Sequence, residues 1–190
     1  MTDSERSGVT DSRVLAAMSH PLRRRLLDVL KVHGPATASA LAGRTGQAVA
    51  NISHHVKVLS AAGLIVEAPE LAKDRRERWW RLAAPALAWA IGDFDADPAG
   101  QAVASAAASL SLDRQVSLVR AWSAVREERP AWNRAAFSAD TWLHLSPAEL
   151  TELEQEILAV LGRWEQRDVP DDGQAREPVF LFVHGVPAQP

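Results

Sequence analysis

Apolar residues recur every three or four positions through most of the first 62 residues and alternate just beyond, so the pattern predicts helices followed by a hairpin. Val14 to Ser19 reads as a short helix, and His20-Pro21 interrupts it with proline at the first turn of the next. In LRRRLLDVLKVH, Leu22, Leu26, Leu27 and Leu30 share one face, Arg23, Arg24 and Lys31 lie mainly on the other, and Gly34-Pro35 ends the run. Thr37 can cap a third helix, Ala38 to Arg44, and Thr45-Gly46 supplies a tight turn. A fourth helix runs from about Gln47 to Ala62, closed by Gly63. Leu64 to Pro69 and Glu77 to Ala83 are strand-like and flank a charged tip, Glu70 to Arg76. Within the second strand Trp80 is in phase with Leu82 toward a core, which leaves Trp79 on the outer face. Two short helices joined at a glycine-containing turn and followed by a hairpin describe a winged helix-turn-helix.

Beyond the hairpin the pattern changes. Ala86 to Ile91 extends the winged unit, and DFDADPAG reads as a linker. Residues 99–128 contain no proline and no glycine after Gly100, which predicts one long helix or two joined near Ser111. Val103, Ala107, Leu110, Leu118 and Val125 make one stripe, and Leu112, Val116 and Val119 another nearly opposite. A helix apolar on two faces needs two partners; one is its own domain, and the same helix of a second subunit is the expected other. Thr141 to Leu145 is strand-like, Ser146-Pro147-Ala148-Glu149 is a capping box opening a helix to about Arg167, and Val179 to His184 is a strand expected to pair with Thr141 to Leu145. The expected fold is mainly α with small β: a disordered start over 1–11, a winged helix-turn-helix over 12–92, and over 93–190 a helical dimerisation region with a short two-stranded β element.

Charge separates the two halves. The net charge of -3 is the sum of +5 over residues 1–85 and -8 over 86–190. A basic half suits a polyanion and an acidic one does not. There is no cysteine, hence no disulfide framework and no thiolate chemistry. The N-terminus is polar, and no apolar run approaches the roughly 18 residues that span a bilayer, so no membrane partner and a cytoplasmic location are expected. Neither a nucleophile with its base nor a glycine-rich phosphate loop is visible, and no enzyme activity or cofactor is expected.

The adjacent His54 and His55 are the most distinctive chemistry. Neighbours on a helix point about 100° apart, so they cannot easily share one metal ion, and His20, His33, His144 and His184 add no ligand-like spacing. Ile52, Val56 and Leu59 define the inward stripe; His55 sits at its edge, a partly buried structural ring, while His54 falls opposite it, with Lys57 on the outward side. Outward position favours contact with a base or a phosphate.

The runs SHPLRRRLLDVL, ASALAGRTGQAVANISHHVKVLSAAGLIVEA and DRRERWWRLA resemble the ArsR-type winged helix-turn-helix transcriptional regulators over roughly residues 12–85, most specifically in Ser-His-His-x-x-x-Leu-x-x-x-Gly-Leu. One departure is Ala48, where the family usually has serine or a similar cap; Asn51 is close enough to take that phosphate contact. The resemblance implies a homodimeric, sequence-specific DNA-binding regulator, a repressor, with the helix at 47–62 in the major groove of double-stranded DNA and the wing on the flanking backbone. The expected DNA-contacting residues are Ala48, Val49, Ala50, Asn51, Ser53, His54, Lys57, Arg75, Arg76 and Arg78. The competing class is a winged-helix protein-protein module. Trp89, Trp122, Trp132, Trp142 and Trp164 either fill core or wall a pocket for an apolar small-molecule effector.

Overall fold

The structure, a computed structural model, describes residues 7–8, 12–74, 76–84, 87–88 and 98–190. The expectations for 1–6, 9–11, 85–86 and 89–97, among them the linker, therefore lie outside the described residues. Two compact units divide the chain, 1–116 and 117–190.

In the first unit, β1 (Ser7–Gly8) precedes α1 (Ser12–Met18) and α2 (Pro21–His33). His20 caps α2, its Nδ1 accepting the Leu22 backbone N–H at 3.2 Å, and Pro21 occupies the first turn, where its missing N–H costs nothing. Gly34 ends α2 at φ 74. A two-residue strand, β2 (Ala36–Thr37), leads into α3 (Ala38–Thr45), and after a turn at Gly46 comes α4 (Val49–Ala61). The wing follows: β3 (Ile65–Glu67), a single 3-10 turn at Pro69–Leu71, and β4 (Trp79–Leu82). These strands form an antiparallel sheet in the order β2-β4-β3, with Ile65 opposite Leu82 and Ala36 opposite Trp80. The third strand is not evident from a two-residue sequence segment. It is ordered by pairing with the wing rather than by any strand propensity of its own. β5 (Leu87–Ala88) pairs in parallel with β1.

Leu15 of α1, Leu26 of α2, Leu41 of α3, Ile52 and Leu59 of α4 and Ile65 of β3 are fully buried, so every element around the fourth helix contributes to one core. Trp80 joins them, as its phase with Leu82 predicts, and Trp79 is half-buried. α5 (Pro98–Val125) is a single helix, its dividing point just after Val116. Its buried positions are Gly100, Ala104 and Ala107, with Val103 packed beside them. Of the stripe Val103, Ala107, Leu110, Leu118 and Val125, the first two meet the core, while Leu110, Leu118 and Val125 are exposed in the chain; the buried positions are small residues that admit close approach.

The second unit contains the end of α5, a 3-10 turn at Arg126–Glu128, α6 (Pro130–Ala135) and α7 (Pro147–Glu165). The predicted capping box is present: Glu149 N–H donates to Ser146 Oγ, and Ser146 N–H to Glu149 Oε2 at 2.7 Å. The predicted pairing of Thr141 to Leu145 with Val179 to His184 is absent. Neither segment is part of a sheet; among the described residues the two-stranded element is β1-β5, in the other half of the sequence. Sheets gain their register from a covered face, and no side chain between Ser117 and Pro190 is buried. No described helix is long and apolar enough to cross a membrane.

Candidate nucleic-acid interface

Thr37 Oγ1 accepts the Ala40 N–H and opens α3, and Thr45, itself buried, bonds the Leu41 carbonyl at 2.7 Å before Gly46 turns the chain at φ 68. α3 and α4 then pack through Leu41 and Ala42 against Ile52, Val56 and Leu59. With that face buried, the opposite one is fixed as outward: Val49, Ala50, Asn51, His54 and Lys57 are exposed, as is Ala48 just before the helix, and Ser53 is half-exposed. Ser53 Oγ is turned back onto the Val49 carbonyl at 2.9 Å, and Asn51 Nδ2 donates to Gln47 Oε1 at 3.1 Å. Ala48 supplies no side-chain cap. The first-turn N–H groups of α4 therefore lack a side-chain acceptor at the positive end of the helix.

His55 is 7% exposed, and its ring lies 4.6 Å from that of His20 and 5.3 Å from that of His54. Its Nδ1 is buried without a partner. Burial first, and then the nearby His20, His54 and Arg23, hold its pKa below the ordinary 6.5. Arg23 is not free to reach a phosphate, because its guanidinium donates to the Ala16 and Ala17 carbonyls at the end of α1. Arg24 is half-buried near Asp28 and Arg114, and burial lowers its pKa; Arg25 is exposed.

On the wing, Asp74 Oδ1 accepts the N–H groups of Arg76 and Glu77, and Glu77 Oε2 accepts that of Lys73. This small turn holds Lys73 and Arg76 exposed at the tip. Lys73 escaped notice in the sequence because it stands on the near side of the tip, apart from the arginine run. Arg78 pairs with Glu67 across the hairpin at 3.8 Å, both side chains well exposed, a contact of small energetic value. Arg75 lies outside the described residues.

Residues 18–68 match the helix-turn-helix domain family. No curated protein matches the chain. Among solved structures, a possible transcriptional regulator for arsenical resistance is 31% identical, with 55% of this chain and 94% of that one covered at a TM-score of 0.33. A homodimeric winged helix-turn-helix DNA-binding domain from Mycobacterium bovis is 19% identical over 62% of this chain and 83% of its own, TM-score 0.35. A transcriptional regulator from Thermotoga maritima is 15% identical over 84% and 90%, TM-score 0.33.

Trp122 and Trp132 flank Arg129, whose guanidinium carbon is 5.9 and 5.8 Å from their ring centres, and Arg129 and Trp132 Nε1 both donate to Glu177. Trp142 and Trp164 are 62% and 65% exposed, Trp164 beneath Arg167, so neither fills core. Trp89 lies outside the described residues. Among the described residues, no group of histidines and carboxylates could hold a metal ion.

Proposed function

We propose that the chain is a homodimeric DNA-binding transcriptional regulator of the ArsR type, acting as a repressor, with α4 in the major groove and the wing along the flanking backbone. The observation that carries the reading is the outward face of α4: Ala48, Val49, Ala50, Asn51, Ser53, His54 and Lys57 form a small or polar surface at an uncapped helix start. Small side chains let the helix approach the groove floor, polar ones reach base edges, and first-turn N–H groups suit a phosphate. Arg76, Arg78 and Lys73 supply positive charge at the wing, to which Arg75, next in sequence, adds; the weak Arg78–Glu67 pair gives way readily to a phosphate. The helix-turn-helix match over 18–68 supports the same reading.

The test is a shift assay on genomic fragments at several salt concentrations. Log affinity should fall linearly with log salt, by about 0.9 per phosphate neutralised. Arg75→Ala with Arg76→Ala should weaken all sequences alike and flatten that line. An unchanged slope would remove the wing from the interface, and affinity indifferent to salt would favour the protein-protein module.

A further inference from the structure

The buried ring on α4 meets a second histidine. His55 stands on the inward side of that helix, His20 stands half-buried at the start of α2, and their ring centres are 4.6 Å apart with the planes inclined at 43°. α2 and α4 pack directly on one another, so the pair lies where the two helices meet. Neither ring offers the other a place for an extra proton. Nδ1 of His20 accepts the Leu22 N–H and caps α2, which puts the proton of the neutral ring on Nε2 and leaves no nitrogen that can accept from His55 unless the cap is given up. Nδ1 of His55 is buried without a hydrogen-bond partner among the described residues. A proton there would be a buried donor with nothing to receive it.

The surroundings supply no counterion for that proton. The groups acting on His55 are His20 and Arg23, from the start of α2, and His54 on α4 itself. α1, α3 and β3 also pack against α4, and among the described residues none of them brings a carboxylate that acts on the ring. Arg23 is held in place by its bonds to the Ala16 and Ala17 carbonyls, so its positive charge stays where it is. A charged His55 is therefore disfavoured by burial and by every charged neighbour at once.

We infer that the contact between His20 and His55 is a proton-sensitive latch on the DNA-reading helix: with His55 neutral it holds α4 against α2 in the reading position, and a proton on His55 opens it. His20 is then a positioning residue for DNA binding, acting through His55. The inference rests on the proposed function of α4 and adds its regulation. Once released from the contact, the ring meets water and takes up its proton at the ordinary histidine value of about 6.5. DNA that binds only the closed form competes with that proton, since a ligand shifts an equilibrium toward the state it prefers. Affinity should accordingly fall by about threefold to tenfold between about pH 7.5 and 5.5.

The experiment uses the full chain with labelled histidine rings, followed by nuclear magnetic resonance, free and bound to a fragment retained in the shift assay. His55 should titrate at lower pH in the DNA complex than in the free chain, and the ring-to-ring Overhauser contact with His20 should vanish as free His55 titrates, with helix content kept. Affinity for the same fragment is then measured across that pH range at one salt concentration for the wild type, His55→Phe and His20→Asn. Phenylalanine keeps a ring without a proton site, and asparagine keeps a cap on α2. Either change should remove most of the fall in affinity. His54 is present in all three proteins, so any proton it takes up beside DNA cancels in the comparison. An equal fall in all three, or a contact between His20 and His55 that survives the titration, overturns the inference. The wild-type titration gives the answer even if a variant fails to fold. DNA binding with an unmoved contact would overturn the latch and leave the proposed function; acid opening of the contact in a chain that binds no fragment at any pH would do the reverse.

Discussion

His54 and His55 are adjacent in sequence and differ in surroundings, and the difference sets what each substitution should do. His54→Ala removes an exposed ring and should weaken DNA binding while changing stability by no more than about 0.5 kcal/mol. His55→Ala empties a buried position against His20 and should cost about 1–3 kcal/mol in thermal or urea unfolding. His55 also makes stability pH-dependent. Its folded pKa is lowered, so above the ordinary 6.5 it is neutral in both states and its contribution is complete. As pH falls below 6.5 the unfolded chain takes up the proton first, and stability declines until the lowered folded pKa is passed. The groups facing it are His20, His54 and Arg23; none carries a negative charge that could offset protonation. Urea midpoints between pH 7.5 and 5 should fall in the wild type and fall less in His55→Ala. Equal slopes in the two would remove His55 as the cause.

At the scale of elements, the ends of helices were legible because each rests on a local rule. Gly63 has φ +69 and its N–H bonds the Ser60 carbonyl, closing α4 before β3. A β-carbon added there would meet nothing within 4 Å, so Gly63→Ala tests backbone strain alone and should cost about 1–2 kcal/mol. A cost near zero would mean the turn relaxes. At α7 the Ser146 N–H and hydroxyl bonds hold the Glu149 carboxyl below its ordinary 4.5. Protonation should therefore fray the first turn as pH falls past 4.5 and below, seen as faster amide exchange at residues 148–150. Ser146→Ala should produce the same fraying at neutral pH. Less legible were β2 and α6, which are too short for any periodicity to register.

For the whole molecule, the prediction concerns association. Leu112 and Val119 on α5 are 44% and 46% exposed, so Leu112→Asp with Val119→Asp removes no buried contact within one chain. If α5 meets its copy there, sedimentation of the paired variant should show the dimer dissociating at concentrations at least tenfold higher than for the wild type, with helix content kept. DNA affinity should drop with it, since two half-sites about 34 Å apart are read only by a joined pair. An intact dimer would confine association to other surfaces.

The order of α1 to α5 and α7, the caps at Thr37 and Ser146, the glycine turns, the inward stripe of α4 and the opposite settings of the two histidines were all determined by the sequence alone. Each depends on residues within about four positions of one another, where helical period and capping chemistry act. Tertiary structure decided what depends on distant partners. Arg23 is drawn to the end of α1 because the fold brings two carbonyls to it. α5 buries Gly100, Ala104 and Ala107 instead of its larger residues because only its first turns meet a core. The segments 141–145 and 179–184 have the composition of strands, yet neither joins a sheet, because pairing depends on partners far away in sequence. Local pattern names the element; only the arrangement of distant surfaces decides whether it is covered.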